Sequence, residues 1–129
     1  MHLHKKMDKW LPVGGHIERD ELPEEATLRE VKEESGLEII LYNQDKQINM
    51  ADAKQLIRLA HILLEDIKQG HQHIDFVYYA AANNFDVQPE DGEAKDLKWF
   101  AADEIKNLAN VPKNVKICAL ETIELLKDK

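Results

Sequence analysis

The tightest constraint on this chain is the interval from Gly15 to Leu37, GHIERDELPEEATLREVKEESGL, where helix signals and charges share one spacing. Pro23 suits the first turn of a helix, Glu24 and Glu25 complement its positive end, and Gly36 is the usual left-handed stop just past the C-terminus. The spacing therefore predicts one helix over residues 23 to 35. At about 100° per residue, Glu30, Glu33 and Glu34 fall on one stripe. Leu28 and Val31 turn to the other side, where a sheet can receive them. Carboxylates three and four residues apart cost an isolated helix roughly 0.2–0.5 kcal/mol per pair, so the stripe is unfavourable unless a cation neutralises it. Hard oxygen donors without Cys or His among them suit Mg²⁺ or Mn²⁺ rather than zinc. The plain alternative is a solvated acidic helix, the commonest fate of a Glu run.

The fixed intervals decide between the two readings. Gly15 is followed after five residues by Glu21, and after seven more by Arg29, Glu30, Val31, Lys32, Glu33, Glu34, Ser35, Gly36 and Leu37. In that order the segment resembles the box of the Nudix hydrolase family, G-x5-E-x7-R-E-U-x-E-E-x-G-U with U a bulky aliphatic residue, at every fixed position. Trp10 ahead of the Gly14-Gly15 pair matches the family's usual entry, and Trp99-Phe100 followed by Glu104-Ile105 looks like its last strand and following helix.

The resemblance implies an α/β fold, an α/β/α sandwich with a mixed sheet. It implies that Glu30, Glu33 and Glu34, with the Gly14 carbonyl, hold catalytic Mg²⁺, for which Mn²⁺ can substitute. Arg29 is then expected to hold Glu30 by a charge-assisted hydrogen bond, and Glu21 to brace the loop. Gly15 permits a tight turn beside the metal and Gly36 ends the helix. The family often takes its general base from a loop outside the box; Glu93, six residues before Trp99, is the best-placed candidate and Glu90 the alternative. The implied reaction is hydrolysis of the diphosphate linkage of a nucleoside diphosphate joined to another group. The alternative is a fold-retaining ligand-binding or regulatory module with weak or no catalysis.

Two departures from the family pattern stand out. Pro12-Val13 precedes the glycine pair where the family commonly has an apolar residue and then Pro. Family members also carry on the order of twenty further N-terminal residues, one strand and a hairpin arm, so N-terminal strands are expected to be missing here. An open strand edge recruits other chains, which predicts a homodimer.

Composition bounds the remainder. The 129 residues are expected to form one domain over 1–129, with 43% hydrophobic residues and no apolar run of membrane-spanning length. The N-terminus lacks the apolar core of a signal peptide, and a lone Cys118 forms no internal disulfide, which fits a cytoplasmic protein. A formal charge of −8 argues against polymeric nucleic acid as a partner. An anionic nucleotide must then meet metal ions or local cations.

Along the chain, strands are expected at Lys9 to Val13, Glu38 to Tyr42, Ile57 to Glu65, His73 to Ala81 and Leu97 to Phe100, with the fourth central. Asp103 should cap a short helix ending near Ala109, and Pro112 should open a C-terminal helix through Leu126. In a strand His71, His73, Asp75 and Tyr79 share a face. There His73, Asp75 and Tyr79 are expected to line the substrate cleft or to serve the structure, with transition-metal ligation the less favoured reading. Trp10, Trp99, Tyr78 and Cys118 are expected in the core, and Lys5, Lys6 and Lys9 in solvent.

Overall fold

The computed structural model describes residues 1–4, 6–90 and 96–127. Its elements in chain order are β1 (His2–His4), β2 (Lys9–Leu11), α1 (Pro23–Ser35), β3 (Ile39–Leu41), β4 (His61–Lys68), β5 (His71–Val77), β6 (Ala80–Ala82), α2 (Ala102–Lys106) and α3 (Lys113–Leu126).

Helix α1 begins and ends where its punctuation requires. Leu22 offers no capping side chain; instead Glu25 reaches back to accept from the Leu22 N–H at 2.8 Å. At the other end Gly36 adopts φ 75° and donates to the Lys32 carbonyl at 2.8 Å. Ala26, Val31 and Ser35 are buried, whereas Leu28 is 43% exposed, so the apolar side of the helix is narrower than expected. The buried Ser35 hydroxyl donates to the Val31 carbonyl at 2.6 Å and accepts from Leu37 N–H at 3.2 Å, which satisfies it. With Leu37, Leu41, Tyr79 and Ile105, these residues form the core.

The strands pair as β1 with β2, β3 with β6, and β4 with β5. The ladders among the described residues are antiparallel. Gly70, at φ 77°, turns β4 into β5 and sets the register from Lys68↔His71 to His61↔Val77. This corrects the strand expected at Ile57 to Glu65, which instead starts at His61. Past Val77 the chain leaves β4, so the residues before His61 lose their ladder partner. The run expected as one central strand, His73 to Ala81, is likewise two strands. It pairs with β4 as far as Val77, breaks at Tyr78-Tyr79, and then pairs with β3, the change of partner being bridged by Tyr42 N–H donating to the Tyr79 carbonyl at 2.7 Å.

The N-terminal residues form a hairpin arm of their own. Asp8 at φ 52° closes the turn between β1 and β2, a conformation Asp tolerates better than most residues. β1 then meets Leu97 through the His2↔Leu97 bridge, with Leu3 N–H on the Asp96 carbonyl at 3.1 Å and Lys98 N–H on the Met1 carbonyl at 2.9 Å. Leu97 to Phe100 therefore makes one bridge rather than a strand. Trp99 is 44% exposed, not core, its ring edge-on to Phe85 at 4.8 Å and its indole N–H on the Phe85 carbonyl at 3.1 Å. Trp10 does find an inward partner, the Phe100 ring at 4.9 Å. Helix α2 is capped by Ala101 rather than Asp103, because the Glu104 carboxylate reaches back to Ala101 N–H at 2.9 Å.

Helix α3 is tied to the inner face of β4 and β5 by polar contacts. Asn114 donates to Glu65 at 2.6 Å, and the buried Tyr79 hydroxyl donates to Glu121 at 2.8 Å, whose same oxygen meets His61 Nε2 at 2.6 Å. The Asp75 carboxyl beside it raises the Glu65 pKa, with burial adding to the effect. A carboxyl with a raised folded-state pKa stabilises below its unfolded value and loses that contribution as pH rises through the folded value. Glu65→Gln is therefore expected to raise the melting temperature at neutral pH by on the order of 2 °C. The gain should vanish in acid below the ordinary carboxylate range; calorimetry at two pH values checks both. On the opposite face Ile62↔Phe76 and Leu64↔Ile74 form two cross-strand pairs that stay 43% to 68% exposed. No helix among the described residues is long and apolar enough to cross a membrane.

Candidate active site

Two segments build the site: α1, which carries the carboxylate stripe, and the irregular loop from Pro12 to Leu22 that precedes it. Arg29 joins them. Its Nε and one terminal nitrogen donate to the two oxygens of Glu21 at 2.7 and 3.1 Å, a bidentate fork. The second of these nitrogens also donates to the His16 carbonyl at 3.0 Å. The remaining terminal nitrogen donates to Glu30 at 2.8 Å and Glu33 at 3.3 Å. The expected Arg29–Glu30 contact is thus present, but Glu21 is the firmer partner. Glu21 also accepts from Glu18 N–H at 2.9 Å, closing the loop's last turn, where Asp20 sits at φ 65°.

These contacts set the local electrostatics. Hydrogen bonds donated to Glu21 first, and then to Glu30, push the Arg29 pKa further up, so its charge is permanent. Arg29 in turn holds the Glu21 carboxyl below its usual range. The sign follows: the brace contributes fully above the ordinary carboxylate pKa and is lost as pH falls through the depressed value.

Glycines set how closely loop and helix approach. A Cβ on Gly15 would run into the Glu30 carboxyl group, so only glycine admits that carboxylate at this point. Gly14 N–H donates to Glu34 Oε2 at 3.1 Å. A Cβ on Gly36 would strike the Gln88 carbonyl. The reason is that residues 88 to 90 lie along the end of α1, with Gln88 N–H on the Ser35 carbonyl at 2.7 Å and Glu90 N–H on the Glu33 carbonyl at 2.9 Å. Glu90 is thereby carried to the end of α1 that bears Glu33 and Glu34. Glu93, the other candidate base, and Lys5 lie outside the described residues.

The three residues expected on one face of the central strand separate. His73 meets the loop, its ring edge-on to that of His16 at 6.2 Å. Asp75 faces Glu65. Tyr79 is 4% exposed, and burial followed by its bond to Glu121 pushes the phenol pKa up; its hydroxyl is committed to α3. A cavity of about 190 Å³ borders Tyr42, Arg58, Tyr79 and Glu121, and a wider depression of about 460 Å³ borders Arg29 and Lys32. Sequence reasoning missed the roles of His16, Glu65, Asn114 and Glu121; His16 alone carried a signal, as the residue directly after the glycine pair.

Among the described residues no three His, Cys, Asp or Glu side chains already enclose a metal position. The donor set nevertheless fits a hard divalent cation: it is all carboxylate, it lies on one stripe, and it borders a loop kept open by glycine.

A model of the NUDIX domain matches residues 2–120. The crystal structure of a hydrolase of the NUDIX family from Clostridium perfringens superposes with a TM-score of 0.89 at 48% identity, covering 97% of this chain and 87% of that one. No curated protein sequence matches. The chain belongs to the NUDIX family, and its fold and family make it a Nudix-type hydrolase.

Proposed function

We propose that this hydrolase cleaves the diphosphate linkage of a nucleoside diphosphate joined to another moiety, with Mg²⁺ as its cofactor and Mn²⁺ able to replace it. The observation that carries the reading is the Glu30, Glu33, Glu34 stripe, braced against the glycine loop by the Arg29–Glu21 fork. Glu30, Glu33, Glu34 and the Gly14 carbonyl are the groups that would hold the cation, which when bound neutralises phosphate charge and acidifies water. Arg29 orients Glu30 and Glu33 for that task while its Glu21 fork keeps the guanidinium in place. His73, beside the loop, is the one of the three best placed to meet substrate, while Asp75 sits against Glu65 and Tyr79 is bonded to α3. Incubating the protein with nucleotides, nucleotide sugars, dinucleoside polyphosphates and ADP-ribose should release a nucleoside monophosphate with Mg²⁺ and none with EDTA. Absence of turnover across that panel would remove the reading.

The proton acceptor is proposed to be a carboxylate of the loop that follows residue 83, Glu93 or Glu90. The variant that removes it should depress kcat with little change in KM, the pattern of an interaction made mainly in the transition state. Equal kinetics in Glu90→Gln, Glu93→Gln and wild type would exclude both. We further propose a homodimer in which a second copy covers the exposed face of Ile62, Leu64, Ile74 and Phe76, since contiguous apolar patches on stable monomers are small. Light scattering at high micromolar concentration should give twice the monomer mass, and a monomer there contradicts it.

A further inference from the structure

We propose that His71 and His73 form a second metal site, one for a borderline transition cation such as Zn²⁺ or Ni²⁺, separate from the carboxylate stripe of α1. The two residues stand two apart on β5, so their side chains leave the same face. Their rings converge, with centroids 4.8 Å apart, planes at 70°, and Nε2 to Nε2 at 3.0 Å.

That separation is close to what a shared metal needs. Two imidazole nitrogens bound to a tetrahedral ion at about 2.0–2.1 Å lie about 3.3 Å from each other. The rings therefore need to part by only a few tenths of an ångström, a small adjustment on an exposed hairpin. At present one Nε2 donates to the other. On binding, the donor ring moves its proton from Nε2 to Nδ1, so both nitrogens offer lone pairs and neutral rings release no proton.

The carboxyl groups lie on the His73 side of the pair: Glu65 stands opposite His73 across the ladder and Asp75 is the next inward residue on β5, while Lys68 stands opposite His71. No third His, Cys, Asp or Glu closes the shell among the described residues, so the site is bidentate with water completing it. Imidazole selects Zn²⁺ and Ni²⁺ where carboxylate and water select Mg²⁺, so donor chemistry keeps the two sites distinct. The site also reaches the loop of the α1 stripe. His73 lies edge-on to His16, whose carbonyl accepts from Arg29, so a cation that fixes the His73 ring also buttresses that loop.

The test uses the whole chain in saturating Mg²⁺, which occupies hard oxygen sites, titrated with Zn²⁺ alone by calorimetry and with Ni²⁺ while the histidine ring signals are followed by NMR. One Zn²⁺ equivalent is expected that Mg²⁺ does not displace, with the His71 and His73 ring signals the first to respond to Ni²⁺. His71→Gln and His73→Gln should each weaken Zn²⁺ binding at least about tenfold, while Glu34→Gln leaves it unchanged. No saturable Zn²⁺ binding by the wild-type chain would overturn the proposal, as would binding that survives both histidine variants or is lost in Glu34→Gln. Metal-free melting curves establish that the variants fold; should either fail, the wild-type ring signals alone decide, because a response elsewhere first excludes this pair.

Discussion

Replacing Glu34 with Gln is expected to lower turnover at least about 100-fold while leaving the fold intact, because a neutral amide cannot supply the charge a hard divalent ion requires. The substitution is informative because it separates two roles of one side chain. Glu34 Oε2 accepts from Gly14 N–H at 3.1 Å, and the amide oxygen of Gln accepts the same hydrogen bond. The glycine loop keeps its tie to α1 while the charge is lost. Without metal the variant should melt at the same temperature or slightly higher, since removing one member of the Glu30, Glu34 pair relieves roughly 0.2–0.5 kcal/mol of repulsion. Steady-state kinetics in Mg²⁺ beside a metal-free melt measures both. Turnover near wild type would mean that the stripe does not serve the reaction.

Gly36→Ala is expected to be the most destabilising single substitution near the site. The residue sits at φ 75°, where a side chain costs about 1–2 kcal/mol. The added Cβ also meets the Gln88 carbonyl, which is backbone and cannot rotate away. Relief requires the 88 to 90 segment to withdraw from α1, breaking the bonds from Gln88 N–H to Ser35 and from Glu90 N–H to Glu33. Each lost bond costs about 1 kcal/mol, so the total is about 3–4 kcal/mol. For a chain of this size that is a fall in melting temperature of about 11–15 °C. Turnover at low temperature should fall as well, since Glu90 moves with the segment. A melting temperature within a degree or two of wild type would show that the segment does not depend on this contact.

What could be foreseen from the residues divides by range of interaction. Helix α1 was legible to the residue, since Pro23, Glu25 and Gly36 act within one or two turns of themselves. The carboxylate stripe followed from helical period alone. The Arg29–Glu21 fork did not; it closes a span of eight residues through an irregular loop, and the resemblance to a known box gave Glu21 a bracing role without naming Arg29 as its partner. The strand errors share one cause. Nothing in the alternation of residues 71 to 82 marks where β5 leaves β4 for β3, because the partner is set by chain from other parts of the sequence. β1, in the tail of a hairpin arm at His2 to Lys6, was suggested by the resemblance alone, because its turn is closed by Asp8 in the left-handed region with no glycine to announce it. The ties from β4 and the Tyr79 region to α3, Glu65 to Asn114 and Glu121 to both Tyr79 and His61, span 42 to 60 positions and carry no local signature.

The bracing of the loop ahead of α1 bears on when disorder is given up. Residues 12 to 22 have no helix or strand of their own, yet Gly14, His16, Glu18 and Glu21 are each fastened, to Glu34, to Arg29, or to one another. Ordering a free backbone costs about 1–2 kcal/mol per residue, so a loop of this length arranged only on substrate arrival would consume most of the affinity of an ordinary ligand. Here that entropy is surrendered once, as the chain folds, and substrate meets a surface with little left to freeze. The same economy makes the fork between Arg29 and Glu21 a point of leverage over affinity: loosening it leaves every proposed metal ligand present, while each encounter with substrate must again organise the loop.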